Sequence, residues 1–272
     1  DVHMASYLYE IRQSLELLLD PRARTGKVDG TLATTTFGDG PLSVFENDYF
    51  NTWWGRFFKG THKDTDFLVS DFVKVSGVVT FGPALAVATD TTDEYELIPP
   101  DFSPVELLGA INEAIRVVKE EALEDVVDES VQVASNIYEY SVPDGLLYIS
   151  QIYQKESSGK VNVSQSRIDE LHWRILATSP RKIWFDSRLV DLAAGRVLRI
   201  EGQKAPATLT LDADQTGISH TFLVYQAKAN LHLARASNTD DDHGRKMAIA
   251  QAIADRERRK LVVAGRGRRA AA

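Results

Sequence analysis

The chain contains no cysteine, only two methionines, and no apolar run approaching the roughly 20 residues that a membrane-crossing helix requires. Without thiols there is no disulfide framework, no thiolate metal site and no cysteine nucleophile. The first ten residues, DVHMASYLYE, lack the basic-then-apolar layout of a secretion signal. Phosphate-binding loops are missing as well. Gly38-Asp39-Gly40 has neither the third glycine of a dinucleotide fingerprint nor the Lys-Ser/Thr of a nucleotide loop, and reads as a turn. No G-x-S-x-G elbow occurs. His3, His62, His172, His220, His232 and His243 are scattered, with no HExxH and no other close ligand pair. Asn238, Asp240 and Asp242 imitate the first three ligands of a calcium loop. The sixth position is His243 instead of glycine and the twelfth is Ile249 instead of glutamate, so an acidic turn that caps the next helix accounts for them. No cofactor, metal or catalytic residue is nominated, and the expectation is that the chain is not an enzyme.

What is present suits a globular chain: 272 residues, 43% hydrophobic and 26% charged, enough for one large or two modest cores. The net charge of −8 hides an asymmetry. From Gly244 to Ala272 nine basic residues face only Asp255 and Glu257, so an acidic body carries a basic C-terminus suited to an anionic partner or to solvent.

Hydrophobic periodicity predicts an opening helix over Tyr7 to Asp20, with Leu8, Ile11, Leu15, Leu18 and Leu19 at helical spacing and Pro21 ending it. Short β-prone runs follow at Gly30 to Ala33, Trp53 to Lys59, Asp66 to Phe72, Gly77 to Phe81 and Glu94 to Ile98, as in a small antiparallel barrel or sandwich. Pro99 and Pro100 remove backbone donors and end the last run. Ser103, Pro104 and Glu106 then mark a helix start, and the helix is expected to reach about Leu123. After a mixed acidic stretch, Glu124 to Ser130, a second β region is expected at Ile137 to Val142, Leu146 to Gln154, Glu170 to Ile175, Lys182 to Phe185, Val197 to Ile200 and Thr208 to Leu211. Two Ala- and Leu-rich helices close the chain, over Ser219 to Ala236 and Arg245 to Val263. The class is α+β. The expected segments are an N-terminal helix (1–26), a β module (27–100), a junction helix (101–130), a second β region (131–214), C-terminal helices (215–263) and a basic tail (264–272).

Two clusters need weighing against simpler explanations. Tyr49, Phe50, Trp53, Trp54, Phe57 and Phe58 could form a stacking platform for sugar or nucleic acid, but a barrel core with a subunit contact is more economical. Glu120, Glu121, Glu124, Asp125, Asp128 and Glu129 could hold the carboxylate pair of a glycosidase, but a run of acids in sequence reads first as a solvated face. In a symmetric ring, Glu120, Glu121, Glu124 and Asp125 could line a lumen.

Gly30 and Thr31, the block Asp48 to Trp54, Thr80 to Ala84, Asp93 to Leu97, Phe102 to Pro104 and Ile111 to Arg116 together carry a resemblance to tailed-bacteriophage head-to-tail connector (adaptor or neck) proteins. It continues through YSVPDGLLYISQIY, RKIWFDSRLVDLAAGRVLRIEGQKAP and LVYQAKANLHLARA, with a departure at Thr61 to Thr65, where a Gly-rich turn is common. The resemblance implies a structural virion protein assembled in the host cytoplasm: a homo-oligomeric ring, often twelve-fold, with a helical collar and β modules, joining the portal protein to a neighbouring neck or tail protein. DNA would pass the lumen without sequence-specific binding, no membrane would be involved, and Arg266, Arg268 and Arg269 would form a partner-binding tail. On the same residues, a tail or baseplate component with a carbohydrate- or receptor-binding β module remains the alternative.

Overall fold

The computed structural model describes residues 5–155, 167–236 and 241–269. In chain order the elements are β1 (Ser6–Tyr7), α1 (Leu8–Leu19), β2 (Arg24–Lys27), β3 (Thr36–Gly38), β4 (Trp54–Lys59), β5 (Thr65–Val73), β6 (Val78–Gly82), β7 (Glu94–Ile98) and α2 (Pro104–Val118). There follow β8 (Glu124–Gln132), β9 (Glu139–Ser141), β10 (Leu146–Gln154), β11 (Arg167–Ile168), β12 (Trp173–Leu176), β13 (Lys182–Phe185), β14 (Val197–Lys204), β15 (Gln215–Thr216), α3 (His220–Arg235) and α4 (Asp241–Arg269). Short 3-10 turns occur at Gly40–Val44, Lys74–Ser76 and Glu170–His172. The fold is α+β with antiparallel sheets, as the strand pattern predicts. The chain divides into two compact units, Asp1–Val118 with Ala207–Val263, and Lys119–Pro206 with Ala264–Ala272.

In the first unit a six-stranded sheet runs β2-β7-β4-β5-β6-β3 and curls into a half-barrel. Its two edges approach at Gly30 and Gly38, where Asp29 N–H donates to the Gly38 carbonyl at 2.9 Å. The concave side is filled by aromatic rings, with Phe37, Phe50, Phe57, Phe67, Phe72, Phe81 and Tyr95 buried together with Val69 and Leu97. Gly55 is required here, because a Cβ would lie 2.1 Å from the Phe67 ring. Side chains alternate across a strand, so the other side of β4 and β7 presents Arg56, Phe58, Glu96 and Ile98, which are also buried. That side is covered by helix: Tyr9 of α1 stacks on Phe58 at 5.5 Å. Helix α3 packs against both α1 and α2. Ser103 caps α2 through a reciprocal pair. Its N–H donates to the Glu106 carboxylate at 2.8 Å, and Glu106 N–H donates back to its hydroxyl at 3.3 Å.

The second unit contains a four-stranded sheet, β11-β10-β14-β8, and a three-stranded sheet, β12-β13-β9. Their apolar residues merge in one core: Leu146 and Ile152 of β10, Leu198 and Ile200 of β14, and Ile183 and Phe185 of β13. This is the layered arrangement of a small β-sandwich.

Several elements differ from the sequence expectation. Gly30 to Ala33 makes only the Gly30 bridge, because Thr31 adopts φ 49°, outside the extended region. Thr208 to Leu211 is irregular and leads into a turn at Asp212 and Ala213, held by Thr210 and Leu211 N–H groups donating to the Asp214 carboxylate at 2.7 and 2.8 Å. Helix α2 stops at Val118, short of Leu123, and the acidic stretch after it is strand β8. Asp and Glu are poor strand formers by propensity. Here antiparallel pairing with β14 supplies the backbone partners.

Candidate functional site

The most densely charged buried place in the first unit lies between α1 and the helix-facing side of the sheet. In α1, helical spacing puts Leu8, Ile11, Arg12, Leu15 and Glu16 on one buried face. Arg12 and Glu16 are only 2% and 3% exposed. Across from them, antiparallel register sets Arg56 of β4 opposite Glu96 of β7, and the 207–214 turn delivers Asp212. The Arg12 guanidinium donates through Nε to Glu96 and through Nη1 to Asp212 at 2.5 Å. Asp212 accepts a further bond from Arg56 Nε at 2.9 Å. Arg56 reaches Asp66 at 2.6 Å and lies 3.5 Å from Asp64, which in turn accepts the Asp212 N–H at 2.6 Å. One cluster therefore ties α1, β4, β5, β7 and the turn before β15.

The protonation of this cluster is uneven. Burial alone would lower the Arg12 pKa, but Glu96 and Asp212 more than offset it and hold it above its ordinary value. Burial raises the Glu16 carboxyl well above the usual carboxylate range, and the Glu96 charge adds to this despite Arg12. Glu96 is also raised by burial, with Arg12 opposing. A carboxyl whose folded pKa exceeds its unfolded value contributes stability that is complete below the unfolded pKa and is lost as pH rises through the folded one. Glu16→Gln, which cannot ionise, is therefore expected to raise stability at about pH 8 and to change little at about pH 4, as read by urea unfolding at the two pH values. Equal shifts at both would contradict the assignment.

Two histidine contacts were not visible in the scattered sequence positions. His62, in the β4–β5 loop, donates from its backbone N–H to Asp93 Oδ1 at 3.0 Å, and its Nδ1 meets Asp93 Oδ2 at 2.8 Å. Asp93, 0% exposed, also accepts the Asp90 N–H at 2.9 Å. Gly60 permits this close approach: its φ is +95°, and a Cβ would sit 2.4 Å from Asp93 Oδ1. The segment Thr61 to Thr65, which departs from the Gly-rich turn of the resembled proteins, is thus fastened through His62. His232 of α3 and His243 of α4, eleven residues apart, meet with Nδ1 atoms 3.0 Å from each other. No spacing in the sequence pairs them, because the contact forms only where α3 and α4 meet.

The residues nominated from sequence are dispersed. Trp53 and Phe57 belong to the aromatic core, Phe58 is buried on the opposite side of the sheet, and Trp54 is half-buried. Glu120 and Glu121 lie in the turn after α2. Glu124 and Asp125 open β8, the edge strand of its sheet, where Glu124 pairs in register with Lys204 and Asp125 accepts from Gln203 at 2.9 Å. Arg266, Arg268 and Arg269 fall in α4, but their side chains lie outside the described residues, as do Asn238 and Asp240. Asp242 pairs with Lys246 at 2.6 Å. Among the described residues no group of three or more His, Asp or Glu side chains is arranged to hold a metal, and no helix is long and apolar enough to cross a membrane.

The sequence profile of the SU10 adaptor protein family matches residues 84–272, well over half of the chain. The chain belongs to the SU10 adaptor protein family. No curated protein matches it. Membership of this phage head-to-tail adaptor family makes the chain a structural virion component that interacts with other phage head or tail proteins, and implies a non-enzymatic role. Within the adaptor the profile begins between β6 and β7 and leaves out everything from β1 and α1 to β6. The buried ion cluster crosses that boundary: Glu96 and Asp212 lie inside the matched stretch, Arg12 and Arg56 before it.

Proposed function

We propose that copies of this adaptor close into a ring, twelve-fold in number, that joins the portal to the tail and lets DNA pass. The observation that carries this reading is the family match over residues 84–272. A closed ring of identical chains uses two different complementary patches on each protomer. In this reading the helices form the collar, the acidic residues Glu120, Glu121, Glu124 and Asp125 face the channel, and the basic segment with Arg266, Arg268 and Arg269 docks on an anionic surface of the portal. A lumen lined with carboxylates does not grip phosphates, so DNA slides through it. Assembly takes place in the host cytoplasm before incorporation into the virion.

Electron microscopy of the purified chain, alone and mixed with portal, tests the proposal. The expected result is a closed ring that binds portal, and loss of portal binding with the ring retained when residues 265–272 are deleted. A monodisperse monomer that ignores the portal would overturn the ring, and unchanged binding after the deletion would overturn the role of the basic segment.

A further inference from the structure

The packing of α4 on α3 is unusual in what it uses. Among the described residues of α4, the fully buried apolar ones are the alanines Ala250 and Ala254. Alanine buries little area, and Met247, Ile253 and Leu261 of α4 are only half-buried, so the polar contacts across the two helices add materially to the attachment. Among the described residues those contacts include a reciprocal amide pair, Gln226 with Gln251 at 3.1 Å in both directions, and the His232–His243 pair.

We propose that His232 and His243 form an acid-sensitive joint that holds the start of α4 to α3 when both rings are neutral and releases it when both are protonated. Two Nδ1 atoms 3.0 Å apart share one hydrogen: one ring donates Nδ1–H, and the other accepts on its lone pair. A first added proton is compatible with that contact, as a charged N–H donor facing a neutral nitrogen. A second leaves two N–H groups facing each other with no acceptor between them.

The surroundings oppose the second charge. His232 is 4% exposed, and its Nε2 is buried without a hydrogen-bond partner. Lys228 on α3 and Lys246 on α4 act on it with like charge, and Asp242 on α4 is the opposing carboxylate. Asp242 is itself paired with Lys246 at 2.6 Å. From the α2 side, Phe102 meets the His232 ring edge-on at 6.3 Å, and Arg235 lies 3.8 Å over Phe102 while reaching Glu106 at 3.4 Å. Burial first, and then Lys228 and His243, push the His232 pKa down from 6.5 to about 4. A histidine depressed in the folded state contributes stability that is complete above its unfolded pKa. That stability is lost as pH falls, here from 6.5 toward about 4.

Hydrogen exchange of the full chain tests the joint, with α4 amides between residues 245 and 256 compared at about pH 7.5 and about pH 4.5 after correction for intrinsic exchange. Protection is expected to fall at least about tenfold at the lower pH, in line with a depression of more than one pKa unit. In the His232→Gln/His243→Gln variant, whose amides bond across the helices without titrating, the fall is expected to stay below about threefold. Unchanged protection in the native chain would overturn the proposal, and so would an equal fall in the glutamine variant, which would assign the effect to carboxylates. Should the variant not fold, nuclear magnetic resonance titration of the native chain decides. Loss of α4 protection that tracks the His232 titration supports the joint, and loss that does not track it overturns it.

Discussion

Arg12→Ala is expected to destabilise the first unit by about 3–5 kcal/mol, the usual cost of removing one partner from a buried ion pair. The cost falls mainly on Glu96. Asp212 keeps Arg56 at 2.9 Å after the substitution, whereas Glu96, 0% exposed, loses the guanidinium that donates to it. Adding Glu96→Gln to Arg12→Ala should therefore recover a substantial part of the loss, because a neutral amide at that position no longer demands a counter-ion. Urea unfolding followed by circular dichroism reads both values. A loss below about 1 kcal/mol for Arg12→Ala would mean that Glu96 finds water or another donor, and that the cluster does not act as a closed network. Replacement by lysine is no remedy, since an ammonium cannot span Glu96 and Asp212 with the fork that Nε and Nη1 provide.

Phe57→Ala is expected to cost about 3–5 kcal/mol. Phe57 is fully buried, with ring centroids of Phe67 at 4.7 Å, Phe37 at 5.8 Å and Phe81 at 6.0 Å. Three rings on three other strands cannot collapse into the space a benzyl group leaves, so the cavity persists and its lining loses contacts. The neighbouring Trp54→Ala, at a half-buried position on the other face of β4, should cost markedly less. The pair separates core from surface within one strand. Equal losses would contradict the alternation that places Phe57 inward.

The contrast between these two predictions shows which features could be read from the chain. Phe57 was recognisable as part of an aromatic β segment because its chemistry and its alternation agree. Arg12 was not, although it sits on the same helical face as Ile11 and Leu15. A charged residue on an apolar face is normally assigned to solvent, and only the arrival of Glu96 and Asp212, 84 and 200 residues away in sequence, makes its burial tolerable. Strand β8 was hidden for a related reason. Its acidic residues disfavour a strand locally, and the register with β14 that enforces one is remote. The start of α2 lay at the opposite extreme. Pro99, Pro100, Ser103, Pro104 and Glu106 act over a few residues, and the reciprocal Ser103–Glu106 bonds follow directly from their spacing. The His232–His243 pair needed both helices to be docked before it existed at all.

Strand β8 also bears on how the free chain behaves before it meets its partners. An open strand edge of nine residues is a template on which another backbone can add, and such addition propagates into fibres. Glu124, Asp125 and Asp128 place carboxylates along that edge, while Glu129 is paired with Lys155 at 2.7 Å, so a second copy approaching it would bring the same charges against the first three. Like carboxylates along β8 therefore disfavour strand addition by a second copy at this edge, so the sheet can end there without templating a fibre.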